Sequence, residues 1–282
     1  MGPARRQATV LESVEEIRAQ VRAASTPTVR EVGPTTQADR VSGDETPVFR
    51  PVSRPPMALL HVLDDGDTTG EMIRIRSDSF LIGRVEGNLV IPHDSGMSGR
   101  HAEIVRRNDG RAWSWYLRDL GSTNGTFVRA STIMLHQGQE FMVGARLFRF
   151  DAPAASVPAV EEPSRANATR KWEVPSRAGG GGLAPGAAPA CLVEISKGAE
   201  IRRHALTEGE YWLGRDASRC AVIVDDPFVD PRHARIYRDE KGRWMVANDR
   251  SRNGVWGRVS EVALERGGYF QCGEQRFLLK AL

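Results

Sequence analysis

The residues of this sequence with chemistry to offer fall in three short stretches. They are Gly83-Arg84, Ser98-Gly99-Arg100-His101 and Gly121-Ser122-Thr123-Asn124-Gly125-Thr126. An arginine fork, hydroxyls, an amide and glycines that bare backbone N–H groups make a good binding set for a phosphate. They make a poor catalytic set, because none is an activated nucleophile or an evident base. His93-Asp94-Ser95 holds the residue types of a hydrolase triad, but sequence neighbours cannot take up triad geometry. His101 and His233 have no companion ligands at a recognisable spacing, so no metal is expected. No cofactor motif is present either, and an enzyme is the weakest reading.

Each stretch alone is a weak signal, since Asn-Gly is an ordinary hairpin turn. The combination occurs twice. Phe80-Leu81-Ile82-Gly83-Arg84 recurs as Tyr211-Trp212-Leu213-Gly214-Arg215. Arg100-His101-Ala102-Glu103-Ile104 recurs as Arg232-His233-Ala234-Arg235-Ile236, and Ser122-Thr123-Asn124-Gly125 as Ser251-Arg252-Asn253-Gly254. Three anchors in one order, each about 130 residues on, mark a duplicated module of domain size.

The elements that must position these residues read as short strands. In the first copy the runs are Ala58–Leu63, Met72–Ile75, Phe80–Ile82, Leu89–Ile91, His101–Val105, Trp113–Leu120, Phe127–Val128 and Phe141–Phe150. In the second they are Cys191–Ile195, Tyr211–Leu213, Ala221–Val224, His233–Tyr237, Trp244–Ala247 and Phe277–Leu279. Trp113-Ser114-Trp115-Tyr116-Leu117 shows the period of two directly. Many short strands with polar turns predict an all-β fold, a sandwich or barrel. Loops gathered at one end of such a frame carry function.

Around the two modules the texture differs. Residues 1–55, rich in Pro, Thr, Ser and Arg, read as a mostly disordered tail. Within it, Thr9 and Glu12 form a capping box ahead of Val10, Val14, Ile17 and Val21 at helical spacing, which predicts a short amphipathic helix. Residues 153–189, with Gly179–Gly182 at their centre, read as a flexible linker. The modules are then 56–152 and 190–282. Across 282 residues, 39 Lys and Arg against 36 Asp and Glu give +3, too balanced for a nucleic-acid partner. No apolar run approaches the roughly 18 residues of a membrane span, and Met1–Val10 lacks a signal-peptide core. With Cys191, Cys220 and Cys272 odd in number and without a CxxC pair, the expected location is cytoplasmic.

Phe80-Leu81-Ile82-Gly83-Arg84, Ser98-Gly99-Arg100-His101 and Gly121–Thr126 together resemble the signature of forkhead-associated (FHA) domains, which bind phosphothreonine peptides. The resemblance covers about two-thirds of the chain, 57–151 and again 190–282. It implies, for each copy, an eleven-strand sandwich of two sheets with recognition loops at one end. It implies that Arg84 grips the phosphate, that Ser98 donates a hydroxyl, and that the Gly99 N–H adds a donor. Thr123 and Asn124 would line the site, with Asn124 holding the peptide main chain. Gly83 and His101 would support the loops from behind. Gly96 stands where some members carry a side chain that reads the third residue after the phosphothreonine.

The second copy departs from that pattern. Arg215, His233 and Asn253 are kept, but Asp230 stands at the Ser98 position and Arg252 at the Thr123 position. A carboxylate repels a phosphate dianion. The copy is therefore expected to be degenerate, with Asp230 either spoiling the site or occupying Arg215 as an internal stand-in. In the tail, Asp44-Glu45-Thr46-Pro47-Val48-Phe49-Arg50 resembles the acidic threonine motif of small bacterial FHA regulators. That makes Thr46 a candidate for phosphorylation and for folding back onto the first module. The expectation is a phosphothreonine-binding signalling adaptor working with a Ser/Thr protein kinase. The alternative is a phosphate-independent scaffold that uses two sandwich modules.

Overall fold

The computed structural model describes residues 9–12, 55–63, 70–108, 110, 112–152, 189–196, 198–264 and 266–282. Thr46 and Trp172 lie outside them. Every regular element among the described residues is a strand. The predicted alternation is visible in burial: Trp115 and Leu117 are sealed while Ser114 and Tyr116, on the opposite face, are part-exposed. None of the described residues forms a helix long and apolar enough to cross a membrane. Nor does any group of three or more His, Cys, Asp or Glu among them converge on a metal position.

The first sandwich has one sheet of β4 (Ser79–Gly83), β5 (Leu89–Val90), β6 (Ala102–Asn108), β7 (Trp113–Asp119) and β18 (Glu261–Ala263), in the order β18-β7-β6-β4-β5. Opposite it lie β2 (Ala58–Leu63), β3 (Gly70–Ile75), β20 (Gln275–Ala281), β19 (Gly268–Cys272) and the start of β8 (Thr126–Met134). Leu60, Ile82, Ile104, Trp115, Leu117, Phe270, Phe277 and Leu279 fill the space between them. The second sandwich sets β9 (Glu140–Val143), β10 (Arg146–Asp151), β11 (Ala190–Ser196), β12 (Ala199–Leu206) and β17 (Val255–Val259) on one side. On the other are β13 (Glu210–Gly214), β14 (Val222–Ile223), β15 (Ala234–Arg238), β16 (Trp244–Asn248) and the end of β8. Its core includes Phe141, Phe148, Leu192, Leu213, Ile236 and Val246.

Two sandwiches are thus present, but neither is completed within one segment of sequence. The repeats exchange their last strands. Glu261–Ala263 of the second copy pairs with Tyr116–Arg118 of the first, and Thr132–Met134 of the first pairs with Met245–Ala247 of the second. Likewise β2 pairs with β20, and β10 with β11. The exchange pivots on β8 and β17, which run antiparallel with Gly257 opposite Val128 at the midpoint. Its cause is local. After Val128 the chain reads Arg129-Ala130-Ser131-Thr132, without the Gly or Asn that a tight two-residue hairpin takes. The strand therefore runs straight on into the other sandwich. Phe127, Trp256, Tyr269 and Leu278 form a third apolar cluster at this junction.

Other expectations need revision. Phe141–Phe150 is two strands, because the chain turns at Gly144 with φ 63°. The strands Ala199–Leu206, Val255–Val259, Glu261–Ala263 and Gly268–Cys272 escape sequence reading. Ala199–Leu206 is a largely exposed strand whose Glu200, Arg202 and Arg203 mask any apolar alternation. Thr9–Leu11, expected as the first turn of a helix, is β1, paired antiparallel to Ala130–Ile133 of β8. Glu12 caps nothing: its carboxylate is buried and accepts Arg129 Nε at 2.7 Å. A buried charge needs a paired counter-charge, and that requirement outweighs the local capping signal. Val14, Ile17 and Val21 lie outside the described residues.

The exchange makes a direct prediction. A protease site inserted within 153–188 and then cut leaves the two halves associated through β18, β19 and β20. The nicked halves should co-elute in native size exclusion and part only in denaturant. Halves that separate without denaturant would mean that each segment closes on itself.

Candidate functional site

At the end of β4 the chain turns outward at Gly83, where a Cβ would overlap the Gly99 carbonyl. Two backbone stretches then zip together. Arg84 N donates to Ser98 O at 2.9 Å, and Val85 N and Glu86 N both donate to Gly99 O. This pins Arg84 beside Ser98-Gly99. The Arg84 side chain is exposed and has no partner among the described residues.

His101, fully buried, holds that loop from behind. Ser98 N donates to His101 Nδ1 at 3.0 Å, so Nδ1 is the unprotonated nitrogen. Nε2 then donates to Gly125 O at 3.1 Å. Burial lowers the His101 pKa, against a raising contribution from the Gly125 carbonyl, and the neutral ring suits this role. The histidine thereby joins the Ser98 loop to the Ser122–Gly125 turn.

That turn has its own frame. Asp119 accepts from Ser122 Oγ, Thr126 Oγ1 and the amides of Gly121 and Ser122. Burial raises the Asp119 pKa, but these hydrogen bonds outweigh it and hold the carboxyl below its ordinary value. Gly125 turns with φ 86°, which only glycine adopts easily. Thr123 N donates to Ser98 Oγ at 3.0 Å, and Asn124 Nδ2 to Gly96 O at 2.8 Å. Arg84, Ser98, Gly99, Thr123 and Asn124 are thus brought together at one end of the first sandwich. Ser98 Oγ accepts there and keeps its own proton for a ligand. The Gly99 N–H has no acceptor among the described residues, so the site presents donors to an incoming anion.

The second site repeats the geometry with different chemistry. Asp230 N donates to His233 Nδ1 at 3.1 Å, and His233 Nε2 to Gly254 O at 2.9 Å. Asn253 Nδ2 donates to Phe228 O, as Asn124 does to Gly96 O. Asp230 Oδ2 accepts Arg252 N at 2.8 Å, in the place where Ser98 Oγ accepts Thr123 N. The stand-in alternative is not the one formed: no ion pair joins Asp230 to Arg215, whose exposed side chain is unpaired among the described residues. A residue that sequence reasoning passed over matters equally. Pro231 stands at the Gly99 position and has no N–H to offer. The second site has therefore lost two donors and gained a carboxylate.

Sequence reasoning gives Asp94 no role beyond a dismissed triad and passes over Asp226. Asp94 Oδ1 accepts Gly96 N, while Oδ2 accepts Glu274 N and Gln275 N from the other repeat. Asp226 does the same with Phe228 N and with Ala145 N. Their signal was present, since each lies four residues before Ser98 or its counterpart Asp230.

Comparison with known proteins covers both sets of loops. The FHA domain model matches residues 80–144 and 211–270. The FHA domain-containing protein FhaB of Mycobacterium tuberculosis is 37% identical over 67 residues, 24% of this chain and 41% of FhaB. The chain thus spans about two-fifths of the length of the curated relatives it matches. A solved structure from a structural and functional analysis of phosphothreonine-dependent FHA domain interactions is 37% identical, covering 26% of this chain and 69% of that one, with a TM-score of 0.20. Mycobacterium tuberculosis EmbR in complex with a low-affinity phosphopeptide is 25% identical, covering 34% and 24%, with a TM-score of 0.22. Matched in both of its halves, the chain belongs to the FHA-domain family and carries that domain twice.

Proposed function

We propose that this chain is a phosphothreonine-binding signalling adaptor that works with a Ser/Thr protein kinase, and that its first site does the recognising. The observation that carries this reading is the donor inventory of that site. Arg84 is unpaired among the described residues, and the Ser98 hydroxyl proton and the Gly99 N–H are uncommitted. A phosphate dianion is the ligand that consumes such a set. The FHA domain model spans this site, within residues 80–144.

Hydrogen bonds to charged groups contribute about 1.5–3 kcal/mol each. Arg84→Ala should therefore weaken phosphopeptide binding by about 2–5 kcal/mol, read by fluorescence anisotropy against the unphosphorylated twin. Unchanged affinity in a folded Arg84→Ala chain would remove this site from consideration.

The second site should be silent toward phosphothreonine, for want of donors. Since the repeats share strands, the test belongs in the full chain. With Arg84→Ala in place, no phosphate-dependent binding should remain. Adding Asp230→Ser should restore a little, and Pro231→Gly beside it more. Strong phosphate-dependent binding by Arg84→Ala alone would show the second site to be active as it stands.

Phosphorylated Thr46 is the proposed internal ligand. It has Asp44 and Glu45 before it and Phe49 at the third position after it. From Thr46 to Met57 an extended chain reaches roughly 35 Å, and a tether that short gives an effective concentration around millimolar. Kinase-treated wild type should lose affinity for an added phosphopeptide, whereas treated Thr46→Ala should keep it. Equal affinities after stoichiometric phosphorylation would end the self-inhibition model and leave the adaptor reading untouched.

A further inference from the structure

The strand exchange places parts of the second repeat directly behind the first recognition site. We infer that this site is a composite of both repeats, in which Arg258 and the 273–275 turn are positioning elements for phosphopeptide binding. Holding the first site in shape is then the task of a repeat that has lost two of its own phosphate donors. The inference rests on the first site being the phosphopeptide site.

Two independent contacts carry it. The first is under the Ser98 loop. Asp94 is buried, and its Oδ2 accepts Glu274 N at 2.9 Å and Gln275 N at 3.1 Å. Its Oδ1 accepts Gly96 N at 2.9 Å, so one carboxylate fastens the loop leading to Ser98 onto the β19–β20 turn. Gly273 makes that turn with φ 61°, and a Cβ there would stand 2.5 Å from Asp94 Oδ2. The second contact is under the Asn-Gly turn. The Arg258 guanidinium packs against Gly125, where any Cβ would overlap its Nε. Arg258 is itself held by Glu140 at 2.6 Å and by Gln139 Nε2 on its carbonyl oxygen. Gly125 O accepts His101 Nε2, and His101 Nδ1 accepts Ser98 N. A continuous chain of contacts therefore runs from Arg258 to the amide of the ligand-facing serine.

The arrangement is reciprocal, which argues against accident. Arg129 of the first repeat lies against Gly254 of the second site as Arg258 lies against Gly125. Asp226 is fastened to Ala145 as Asp94 is to Glu274. Arg129 and Arg258 face each other's neighbours across the β8–β17 ladder, Trp256 opposite Arg129 and Arg258 opposite Phe127.

The test uses the full chain, a phosphothreonine peptide and its unphosphorylated twin, with folding checked by circular dichroism. Arg258→Ala should bind phosphopeptide about tenfold more weakly. Arg258→Lys, which keeps a cation beside Glu140, should return to within about threefold of wild type. Gly273→Ala, a change in the second repeat that crowds Asp94, should weaken binding as well. Arg203→Ala, on the edge strand β12, should bind like wild type. Because Arg258 acts by placing Ser98, the loss caused by Ser98→Ala should be smaller in the Arg258→Ala background than in wild type. Mere loosening of the fold would leave the two losses additive. If Arg258→Ala does not fold, the same cycle run with Arg258→Lys reads the coupling. Wild-type affinity in both Arg258→Ala and Gly273→Ala, with Arg84→Ala inactive, overturns the composite site and leaves the proposed function standing. A wild-type chain with no phosphate preference overturns both.

Discussion

The antiparallel ladder between Thr126–Ala130 and Val255–Val259 is the constraint from which the rest of the molecule follows. Each of these strands begins where a recognition loop ends: β8 follows Gly125 and β17 follows Gly254. Each then leaves its own repeat and finishes in the other. Once the two strands pair along their length, the segments after them must close the opposite sandwich. Exchange of β9 and β10 for β19 and β20 is the geometric consequence. A duplicated sequence tolerates this because the two cores ask for similar side chains at the same depth. Phe141 and Phe148 stack in one core, and Phe270 and Phe277 stack in the other.

Because the ladder starts at the recognition loops, architecture and binding chemistry are not separable here. His101 and His233 are buried, and each uses both ring nitrogens to bridge two loops. That backbone frame is the same at both sites. What differs is the atoms it presents outward. A hydroxyl and a glycine amide at Ser98-Gly99 offer protons, whereas a carboxylate and a tertiary amide nitrogen at Asp230-Pro231 offer none. Fold preservation and loss of anion chemistry are therefore compatible in one repeat. The frame depends on His233, Asn253 and Ser251, and those are retained.

The sequence carries much of this in plain form. The strand Ala58–Leu63 follows from a β-type run and Trp113–Asp119 from alternation, and the loop residues of both sites follow from their duplicated motifs. Topology is the part that does not show. A period of two says which face of Val255–Val259 is buried but not which partner it takes, and Gly257 in its middle blurs even that. Two equivalent strands compete for every pairing in a repeated sequence. The decision falls to a few residues, Arg129–Thr132 and Val259–Glu261, that lack the Gly or Asn of a tight hairpin. The trans contacts of Asp94 and Arg258 depend on that topology, so their roles were equally hidden, although the residues recur in both copies.

The N-terminal strand adds a further bias toward the exchanged arrangement. Thr9–Leu11 pairs with Ala130, Thr132 and Ile133, the stretch at which β8 crosses from one sandwich to the other. A hairpin turn there would destroy this register. Leu11 packs on the first core, while Glu12 accepts from Arg129 and from Asn248 of the second sandwich. The segment thus buckles the two bodies across the straight strand. It also completes a symmetry that the repeats lack: Arg258 has Glu140 as its carboxylate, whereas the equivalent partner for Arg129 is supplied by Glu12. Leaving either member of such a buried pair alone costs about 3–5 kcal/mol. Residues 9–12 are accordingly part of the folded machinery, tied to the second recognition turn through Arg129, which donates to the Ser251 and Arg252 carbonyls.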